Sequence, residues 1–437
     1  GADTTKAVVA MTTTVSYSGL SFITPASLPI RTPLNLSLSI PGAPGDVQVG
    51  AIVVRIVSEI PTGEGIEYGA EFTGNIPRET LEKYVRSIDI VPLLQLMQER
   101  AASSLHLCAF APPVFRVQRD LIPEGTVSLP PEKLEELILG ILSTQRRRQL
   151  IRDKEIDFPL TIPEVGRWRA NVHYVRGFIE AVFRSVNTYV PTITELGLPG
   201  VVQNLAMSDG GLVIVTGPSG CGKTTTLAAM TGHINRDSRK AILTIEDPVE
   251  YVHENANSIV KQREVGTDTH TVFHGLKHAM RQNPDVIVVS EVRDRQVMDV
   301  ILRAAESGFL VLTTMHMPGV TETIDRIASF FPREERDDAL QALGASLRGV
   351  VSQRLFHTNA GMTAAVETLV VNDAIRNAIR SGKLDQIQIL MSTAPGSISM
   401  DVSLRNLIAR GLISYETAAP ASRDPERLRK LLSEHRS

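Results

Sequence analysis

The residues best suited to chemistry form the glycine-rich run Gly217-Pro-Ser-Gly-Cys-Gly-Lys223-Thr224, which matches the pattern GxxxxGK(S/T) in full. It follows the apolar run 212–215, typical of a buried strand, and precedes a plausible helix at 224–231. In such a loop, backbone N–H groups and a helix N-terminus surround phosphates, the lysine contacts the β- and γ-phosphates, and the threonine hydroxyl ligates Mg²⁺. The run therefore predicts an ATP site. Its predicted cofactor-binding residues are Gly217, Ser219, Gly220, Cys221, Gly222, Lys223, Thr224 and Thr225.

Polar side chains follow three further apolar strands, at Glu246, Glu291 and His316. Because ligands bind at the carboxyl ends of strands in open α/β sheets, these side chains are expected to converge with Lys223 on one nucleotide. The predicted reaction is hydrolysis of the γ-phosphate. Glu291, with Thr224, is expected to bind Mg²⁺ directly or through water, and Glu246 to orient or deprotonate the attacking water, although the two glutamates can exchange roles. His316 is expected to contact the γ-phosphate, with a purely structural histidine as the alternative.

The elements that carry these residues follow from the apolar periodicity. After residue 199, apolar strands alternate with helices, the pattern of a parallel sheet with crossover helices, and from residue 373 the chain is mostly helical. Residues 1–90 are instead rich in short alternating runs between Pro- and Gly-bearing turns, which predicts a small barrel or sandwich. These runs are residues 7–15, 34–40, 47–57 and 66–72, and a helical stretch follows at 78–102.

Composition excludes several classes of protein. The formal net charge is −3, so no global basic field indicates a nucleic-acid partner. Cys108 and Cys221 form no CxxC pair, which excludes a cysteine-based zinc site and a disulfide framework and suits a reducing compartment. No apolar run approaches the roughly 18–20 residues of a membrane span, and no signal-peptide layout is present. We expect a soluble, cytoplasmic protein, and its start at Gly1 rather than Met suggests that upstream residues are missing.

Four segments resemble the sequence boxes of the secretion-type hexameric ATPases, and most of all those of the pilus retraction (PilT-type) members. GPSGCGKTTTLAAM resembles the Walker A segment, TIEDPVEYVH the Asp box, and NPDVIVVSEVRD the Walker B strand. GFLVLTTMH with TETIDRI resembles the His box. The boxes occur in the family's order, and the resemblance covers about three quarters of the chain, from residue 103 to the C-terminus.

The resemblance implies an α/β fold in which a PAS-like α+β subdomain precedes a RecA-like P-loop ATPase domain. It also implies a homo-hexamer with ATP between subunits, docked through a pilus platform protein at the inner membrane. Arginines reach the nucleotide across such interfaces, and the alternative for each is a surface ion pair. The arginines at matching positions are Arg281, Arg293 and Arg326, with Arg167, Arg169 and Arg184 in the first subdomain.

Two features favour retraction over pilus assembly or type II secretion. Residues 374–379, AIRNAI, resemble the AIRNLI motif of retraction motors, and the paired CxxC zinc motif typical of the assembly class is missing. Phe309 stands where the family usually has the first histidine of the His box. That departure leaves open a third function, a nucleotide-binding regulatory subunit that hydrolyses ATP slowly.

The N-terminal segment resembles a PilZ domain, a small β-barrel. Residues 50–56 and 65–73 resemble its later strands, and the helix with Arg78, Leu81 and Tyr84 follows them. Residues 14–19, TVSYSG, resemble the (D/N)xSxxG turn that binds cyclic di-GMP, but no RxxxR pair precedes it. We expect a docking or regulatory module, with cyclic di-GMP binding as the alternative. The predicted domains are 1–90 (PilZ-like), 91–102 (helical linker), 103–198 (PAS-like) and 199–437 (RecA-like with C-terminal helices).

Overall fold

The computed structural model describes residues 11–15, 19–24, 27–38, 47–59, 66–73, 88–118, 120–125, 127–163, 165–187, 189–358 and 361–434. The chain divides into two compact units, Gly1–Val186 and Asn187–Ser437. Within the described parts of the chain, no helix combines the length and apolar character that crossing a bilayer requires.

The first strands form a five-stranded antiparallel sheet in the order β1-β2-β5-β4-β3. They are β1 Met11–Val15, β2 Gly19–Thr24, β3 Pro33–Leu38, β4 Val47–Glu59 and β5 Ile66–Phe72. Alternate residues of β4 and β5 are buried on one face, Ala51 and Val53 against Tyr68 and Ala70. The predicted β-rich segment is confirmed, with β2 as an additional strand. Closure of this sheet into a barrel stays a prediction.

Two parts of the PilZ resemblance lie outside the described residues. These are residues 16–18 of the turn at 14–19, and the helix with Arg78, Leu81 and Tyr84.

A six-stranded antiparallel sheet follows in the order β8-β7-β6-β11-β10-β9, with three helices packed on its core. Its strands are β6 Ser104–Leu107, β7 Val114–Val117, β8 Asp120–Pro123, β9 Glu155–Ile162, β10 Gly166–Val175 and β11 Phe178–Ser185. The helices are α1 Ile90–Glu99, α2 Pro131–Gly140 and α3 Thr144–Asp153. The core is centred on fully buried aromatic side chains, among them Trp168 and Phe183.

The predicted linker at 91–102 corresponds to α1. Its apolar face, Ile90, Leu93, Leu94 and Met97, is buried in the core of the six-stranded sheet. The helix therefore packs as part of this α+β subdomain, because its apolar residues recur at helical intervals on one side. The domain boundaries themselves stay predictions.

The second unit contains a seven-stranded sheet in the order β14-β13-β15-β16-β12-β17-β18. All neighbouring strands are parallel except β17 and β18. The strands are β12 Gly211–Thr216, β13 Ala241–Glu246, β14 Ile259–Glu264, β15 Val286–Val289, β16 Leu310–Met315, β17 Leu347–Thr358 and β18 Gly361–Val370.

Helices cover both faces of this sheet, so its central strands are apolar on both sides. Along β12, Leu212 and Ile214 belong to one core, whereas Val213 and Val215 belong to the other. Helices α4 Val201–Ala206 and α5 Lys223–Asp237 pack on the second core. Helices α6 Val272–Ala279, α7 Arg295–Glu306, α8 Val320–Ser329 and α9 Arg336–Ser346 pack on the first.

The chain from residue 373 is mostly helical, as predicted. Its helices are α10 Asp373–Arg380, α11 Ile387–Met391, α12 Met400–Ala409, α13 Tyr415–Ala418 and α14 Pro425–Glu434. The AIRNAI sequence lies in α10, whose N-terminus is capped by the Asn372 side chain. Ile375, Ala378 and Ile379 are buried in the core of the sheet, so the alanine at 378 is a packing position.

Candidate nucleotide site

The glycine-rich loop connects β12 to the N-terminus of α5 and needs its glycines for close packing. Gly217 has a φ of 145°, and a Cβ atom there would lie 2.5 Å from both Cys221 Sγ and Gln353 O. Gly220 and Gly222 have φ angles of 75° and 87°, in the left-handed region that favours glycine. The loop is therefore fixed from behind by β17, which contributes Gln353, while its backbone curves around the start of α5.

Lys223 lies at the start of α5 with only 7% of its surface exposed. Its ammonium group donates hydrogen bonds to the carbonyl oxygens of Gly217 and Pro218, at 2.9 and 3.0 Å, and to His316 Nδ1 at 3.2 Å. Burial lowers the pKa of Lys223, while the charge of Glu291 partly opposes that shift. These three hydrogen bonds hold the Lys223 ammonium group in place beside the glycine-rich loop.

His316 connects Lys223 to Glu291. Because an ammonium group has no acceptor, His316 Nδ1 must accept, and Nε2 then carries the proton. Nε2 lies 3.2 Å from Glu291 Oε1, so it donates to that carboxylate. The other carboxylate oxygen of Glu291 accepts from Arg293 Nε at 2.9 Å, which raises the pKa of Arg293. We call Lys223, His316, Glu291 and Arg293 the charged network.

Glu246, at the end of β13, is held differently. Its Oε1 accepts hydrogen bonds from Thr244 Oγ1 at 2.6 Å and from Gln262 Nε2 at 2.9 Å. Burial raises the pKa of Glu246, and the two donors oppose that rise. Gln262 Nε2 also donates to the Tyr251 carbonyl at 2.8 Å. We call Thr244, Glu246, Tyr251 and Gln262 the neutral-donor network.

Members of both networks line one cleft of about 510 Å³ at the carboxyl ends of β13, β15 and β16, and Gln262 is the one member outside the lining. Tyr251 also connects the neutral-donor network to the glycine-rich loop, since its hydroxyl lies 2.9 Å from Thr225 Oγ1. Residues that line the cleft include Ser219, Gly220, Gly222, Lys223, Thr224, Thr225, Glu246, Asp247, Tyr251, His253, Glu291, Arg293 and His316.

The structure brings together most of the predicted site residues, but not all. Gly217 and Cys221 lie outside the cleft lining, and burial raises the pKa of the Cys221 thiol. Both residues pack within the loop, because the space beside Gly217 is filled by the Cys221 side chain and β17. Their role as nucleotide contacts stays a prediction.

Arg281 and Arg326 are exposed and lie outside the cleft lining, in contrast to Arg293. The Arg326 guanidinium lies over the Phe330 ring, 4.7 Å from its centroid. Within one chain, neither arginine therefore contacts this cleft, and their role across a subunit interface stays a prediction.

The arginines of the first unit lie on the six-stranded sheet. Arg167 and Arg169 are on β10, Arg184 is on β11, and Arg169 pairs in register with Arg184. Arg169 Nε lies 3.7 Å from Asp157 Oδ1, the surface ion pair that was the alternative for an arginine here. A role of these side chains toward nucleotide stays a prediction.

Sequence reasoning did not single out Thr244, Tyr251 or Gln262. Thr244 could have been identified from the sequence, since residues two apart on a strand share a face and Thr244 precedes Glu246 by two. Gln262 gave no such signal. Its place beside Thr244 depends on the parallel pairing of β13 with β14, a long-range register.

Comparison with known proteins gives a consistent result. A family described as "Type II/IV secretion system protein" matches residues 200–394. The type IV pilus retraction ATPase PilT of Pseudomonas aeruginosa is 40% identical over 346 residues, which cover 78% of this chain and 99% of that protein. The chain belongs to the PilT and PilU type of pilus ATPases. The type IV pilus ATPase PilU of the same organism is 37% identical, over 78% of this chain and 91% of its own length.

A crystal structure of the pilus retraction motor PilT with bound ADP matches the fold of this PilT/PilU-type chain with a TM-score of 0.73 and 39% identity. The match covers 79% of this chain and 100% of that one. The predictions of a RecA-like α/β domain, ATP binding and ATPase activity are thereby confirmed.

The main departure from the family pattern lies away from this cleft. Phe309 precedes the first residue of β16, whereas His316 follows its last residue, so the two lie at opposite ends of the strand. Phe309 packs partly buried against the hydrophobic core. The substitution therefore leaves the charged network of this PilT/PilU-type ATPase in place.

Proposed function

We propose that this chain is a Mg²⁺-dependent motor ATPase that drives retraction of a type IV pilus. The observation that carries the proposal is the convergence of Lys223, Glu246, Glu291 and His316 on one cleft, in a chain 40% identical to a pilus retraction ATPase. The AIRNAI sequence of α10 supports retraction over assembly or secretion.

The residues at the cleft fit a bound Mg²⁺. Thr224 and Glu291 both line the cleft and offer the hydroxyl and carboxylate oxygens that this hard cation prefers. When bound, the ion neutralises charge on the β- and γ-phosphate oxygens. Lys223 supplies a second positive charge from the same loop, and the N-terminus of α5 adds its partial charge. Binding of the triphosphate thus falls to the glycine-rich loop and the charged network.

Hydrolysis requires a base on the opposite side of the phosphate from the loop. Glu246 lines the cleft at the end of β13 and accepts the proton of the attacking water. The water oxygen bonds to the γ-phosphorus, the bond to the β–γ bridging oxygen breaks, and ADP and phosphate leave. His316 lies between Lys223 and Glu291, so its contact with the γ-phosphate would change the hydrogen bonds of both.

A motor of this kind acts as a homo-hexamer with ATP at subunit interfaces. The exposed positions of Arg169, Arg184, Arg281 and Arg326 suit contacts with a neighbouring subunit's nucleotide. We place the protein in the cytoplasm, recruited to the inner membrane by a pilus platform protein, because force must be transmitted to a membrane-embedded assembly.

The segment before the ATPase domain is proposed to regulate or dock the motor. We assign the α+β subdomain around the six-stranded sheet as the PAS-like part of the ATPase, and the five-stranded sheet as a PilZ-like module; the strand orders of the two sheets support separate modules. A protein ligand is the proposed partner of the PilZ-like module, since residues 1–13, which precede the turn at 14–19, contain no RxxxR pair to bind the phosphates of cyclic di-GMP.

The function is tested with Lys223→Ala and a matched control, Lys277→Ala, which removes an exposed lysine from α6. We expect Mg²⁺-dependent ATP turnover in a hexamer-sized fraction, reduced about 100-fold or more in Lys223→Ala and unchanged in the control. Turnover that survives Lys223→Ala, or is absent from the wild type, contradicts the ATPase function.

Whether the motor retracts or assembles pili is tested in cells that lack the gene. Unretracted pili, cleared by the wild type and by Lys277→Ala but not by Lys223→Ala, are expected of a retraction motor. Loss of pili supports an assembly or secretion role instead. Bound but uncleaved ATP in a single-turnover assay supports the slow regulatory subunit.

A further inference from the structure

We propose that Gln262 is a positioning residue that fixes the carboxylate of Glu246 for proton abstraction from the attacking water. The inference rests on the proposed ATPase function, in which Glu246 is the base. In the part of the chain that the structure describes, Gln262 is not among the residues that line the cleft, whereas Glu246 is. Gln262 therefore acts through Glu246 and not on the substrate.

Strand pairing places Gln262 beside the base. Gln262 on β14 is the register partner of Thr244 on β13, and Glu246 follows Thr244 by two residues. Residues two apart on a strand share a face, so all three side chains lie on one face of the sheet. Since β14 is the edge strand, this face of β13 receives its second hydrogen-bond donor from the last strand of the sheet.

The Gln262 amide has one chemically consistent orientation. Its Nε2 donates to Glu246 Oε1 at 2.9 Å and to the Tyr251 carbonyl at 2.8 Å, while its Oε1 accepts from the His253 backbone N–H at 2.8 Å. A rotated amide would place oxygen against two acceptors and nitrogen against a donor. Three hydrogen-bond partners therefore fix the orientation of the Gln262 amide, and the amide in turn restricts the orientation of the Glu246 carboxylate.

The two donors converge on one oxygen of the base. Thr244 and Gln262 both donate to Glu246 Oε1, and among the described residues no hydrogen bond to Oε2 is present. Oε2 is therefore the oxygen that faces substrate water and takes its proton. Donation to Oε1 stabilises the ionised form and opposes the rise in pKa that burial causes, so loss of Gln262 raises the pKa of Glu246 further.

Other charged groups lie near Glu246 and also affect its pKa, but they are the same in the wild type and in the Gln262 variants. Glu250 on the following loop and Glu264 on β14 raise the pKa of Glu246. The same loop carries Asp247, Tyr251 and His253, and the opposite side of the cleft carries Lys223, Glu291, Arg293 and His316. Substitution of Gln262 alone leaves all of these groups in place.

Gln262 also ties the base to the glycine-rich loop. The Tyr251 carbonyl accepts from Gln262, and the Tyr251 hydroxyl bonds to Thr225, two residues after Lys223. A chain of hydrogen bonds therefore runs from the start of α5 to Glu246. This chain fixes the distance between the phosphate-binding loop and the base, which catalysis by a general base requires.

The test compares Gln262→Met, which keeps the side-chain length without a donor, with Lys261→Ala, an exposed neighbour on β14. We expect Gln262→Met to lower kcat about 10- to 100-fold, to leave KM for ATP within about 3-fold, and to move the acid limb of the kcat–pH profile up by about one pH unit. Lys261→Ala should match the wild type in all three measurements.

A merely structural role predicts a different pattern. Lower thermal stability with an unmoved acid limb would overturn the proposal. If Gln262→Met does not fold, Gln262→Glu keeps the shape and places a second carboxyl group against Glu246, which must move the acid limb upward. An unmoved limb in that variant also overturns the proposal. Inactivity of both the wild type and Lys261→Ala would instead refute the ATPase function.

Discussion

The two sides of the nucleotide cleft hold their glutamates by different means. Glu291 is held by ionisable partners, with His316 Nε2 at 3.2 Å and Arg293 Nε at 2.9 Å. Glu246 is held by neutral donors, with Thr244 Oγ1 at 2.6 Å and Gln262 Nε2 at 2.9 Å. The first set belongs to the charged network and the second to the neutral-donor network.

This difference separates a part of the site that exchanges partners from a part that stays fixed. Phosphate oxygens compete with the carbonyls for Lys223, and a divalent cation competes with Arg293 for Glu291. In the proposed mechanism Glu246 is not a ligand of the metal, so no cation competes with Thr244 and Gln262 for its Oε1. We therefore expect substrate binding to rearrange the charged network and to leave the neutral-donor network in place.

The largest expected effect separates the two glutamates. Glu246→Gln and Glu291→Gln should each lower kcat by about 100-fold, because in the proposed mechanism one removes the base and the other a ligand of the metal. Only Glu291→Gln should raise the Mg²⁺ concentration for half-maximal activity, by about 10-fold. A magnesium titration of ATPase activity for both variants measures this.

The matched control for that titration is Glu254→Gln, which removes an exposed carboxylate that is not part of the cleft lining. Its kcat and its magnesium dependence should equal those of the wild type. If Glu246→Gln alone changed the magnesium dependence, the two glutamates would have exchanged roles, and the comparison between the networks would be reversed.

Sequence reasoning identified all four members of the charged network, but only Glu246 of the neutral-donor network. The GxxxxGK(S/T) motif identifies Lys223. Glu246 ends an apolar strand, and Glu291 and His316 come within two residues after one. The carboxyl ends of parallel strands meet at one edge of a sheet. Such local patterns needed no knowledge of strand order. Gln262 required the register between β13 and β14, which the apolar periodicity does not contain.

The same limit appears elsewhere in the fold. The strand Gly19–Thr24 was not predicted, because its start was interpreted as part of a turn motif. The segment 91–102 was interpreted as a linker, although its helical apolar face is buried under the six-stranded sheet. In both cases the local pattern was visible, but the surface that it packs against was not.

A smaller effect tests whether the charged network competes with the metal. Arg293 is 65% exposed, with Asp247 as a second acidic neighbour at 3.7 Å. An ion pair this exposed contributes up to about 1 kcal/mol. Arg293→Gln should therefore lower the half-saturating Mg²⁺ concentration by about 2- to 5-fold, because Glu291 loses a competing cation.

Arg295→Gln is the control for that titration, since Arg295 is paired with Glu335 at the start of α7 and does not line the cleft. It should leave the half-saturating concentration unchanged. A fall in kcat of about 100-fold in Arg293→Gln, without a change in metal affinity, would mean that Arg293 acts on the transferring phosphate itself.

The smallest expected effect is a loss of stability at acid pH, caused by His253 beside the neutral-donor network. His253 lines the cleft, its backbone N–H donates to Gln262, and burial lowers the pKa of its imidazole to about 4. The unfolded imidazole, with a pKa of about 6.5, binds a proton between pH 6.5 and 4, whereas the folded one does not. The stability that the buried, neutral His253 contributes is therefore fully present above pH 6.5, and it is lost as the pH falls toward 4.

At pH 5 this linkage amounts to about 1–2 kcal/mol, or a few degrees in the unfolding midpoint. His253→Gln removes the titrating group, so the midpoint of the wild type should fall relative to the variant by that amount between pH 7 and pH 5. His270→Gln, which removes an exposed histidine, should track the wild type across the same range. If His253→Gln also tracked the wild type, protonation of His253 would not be the cause of the loss of stability between pH 7 and pH 5.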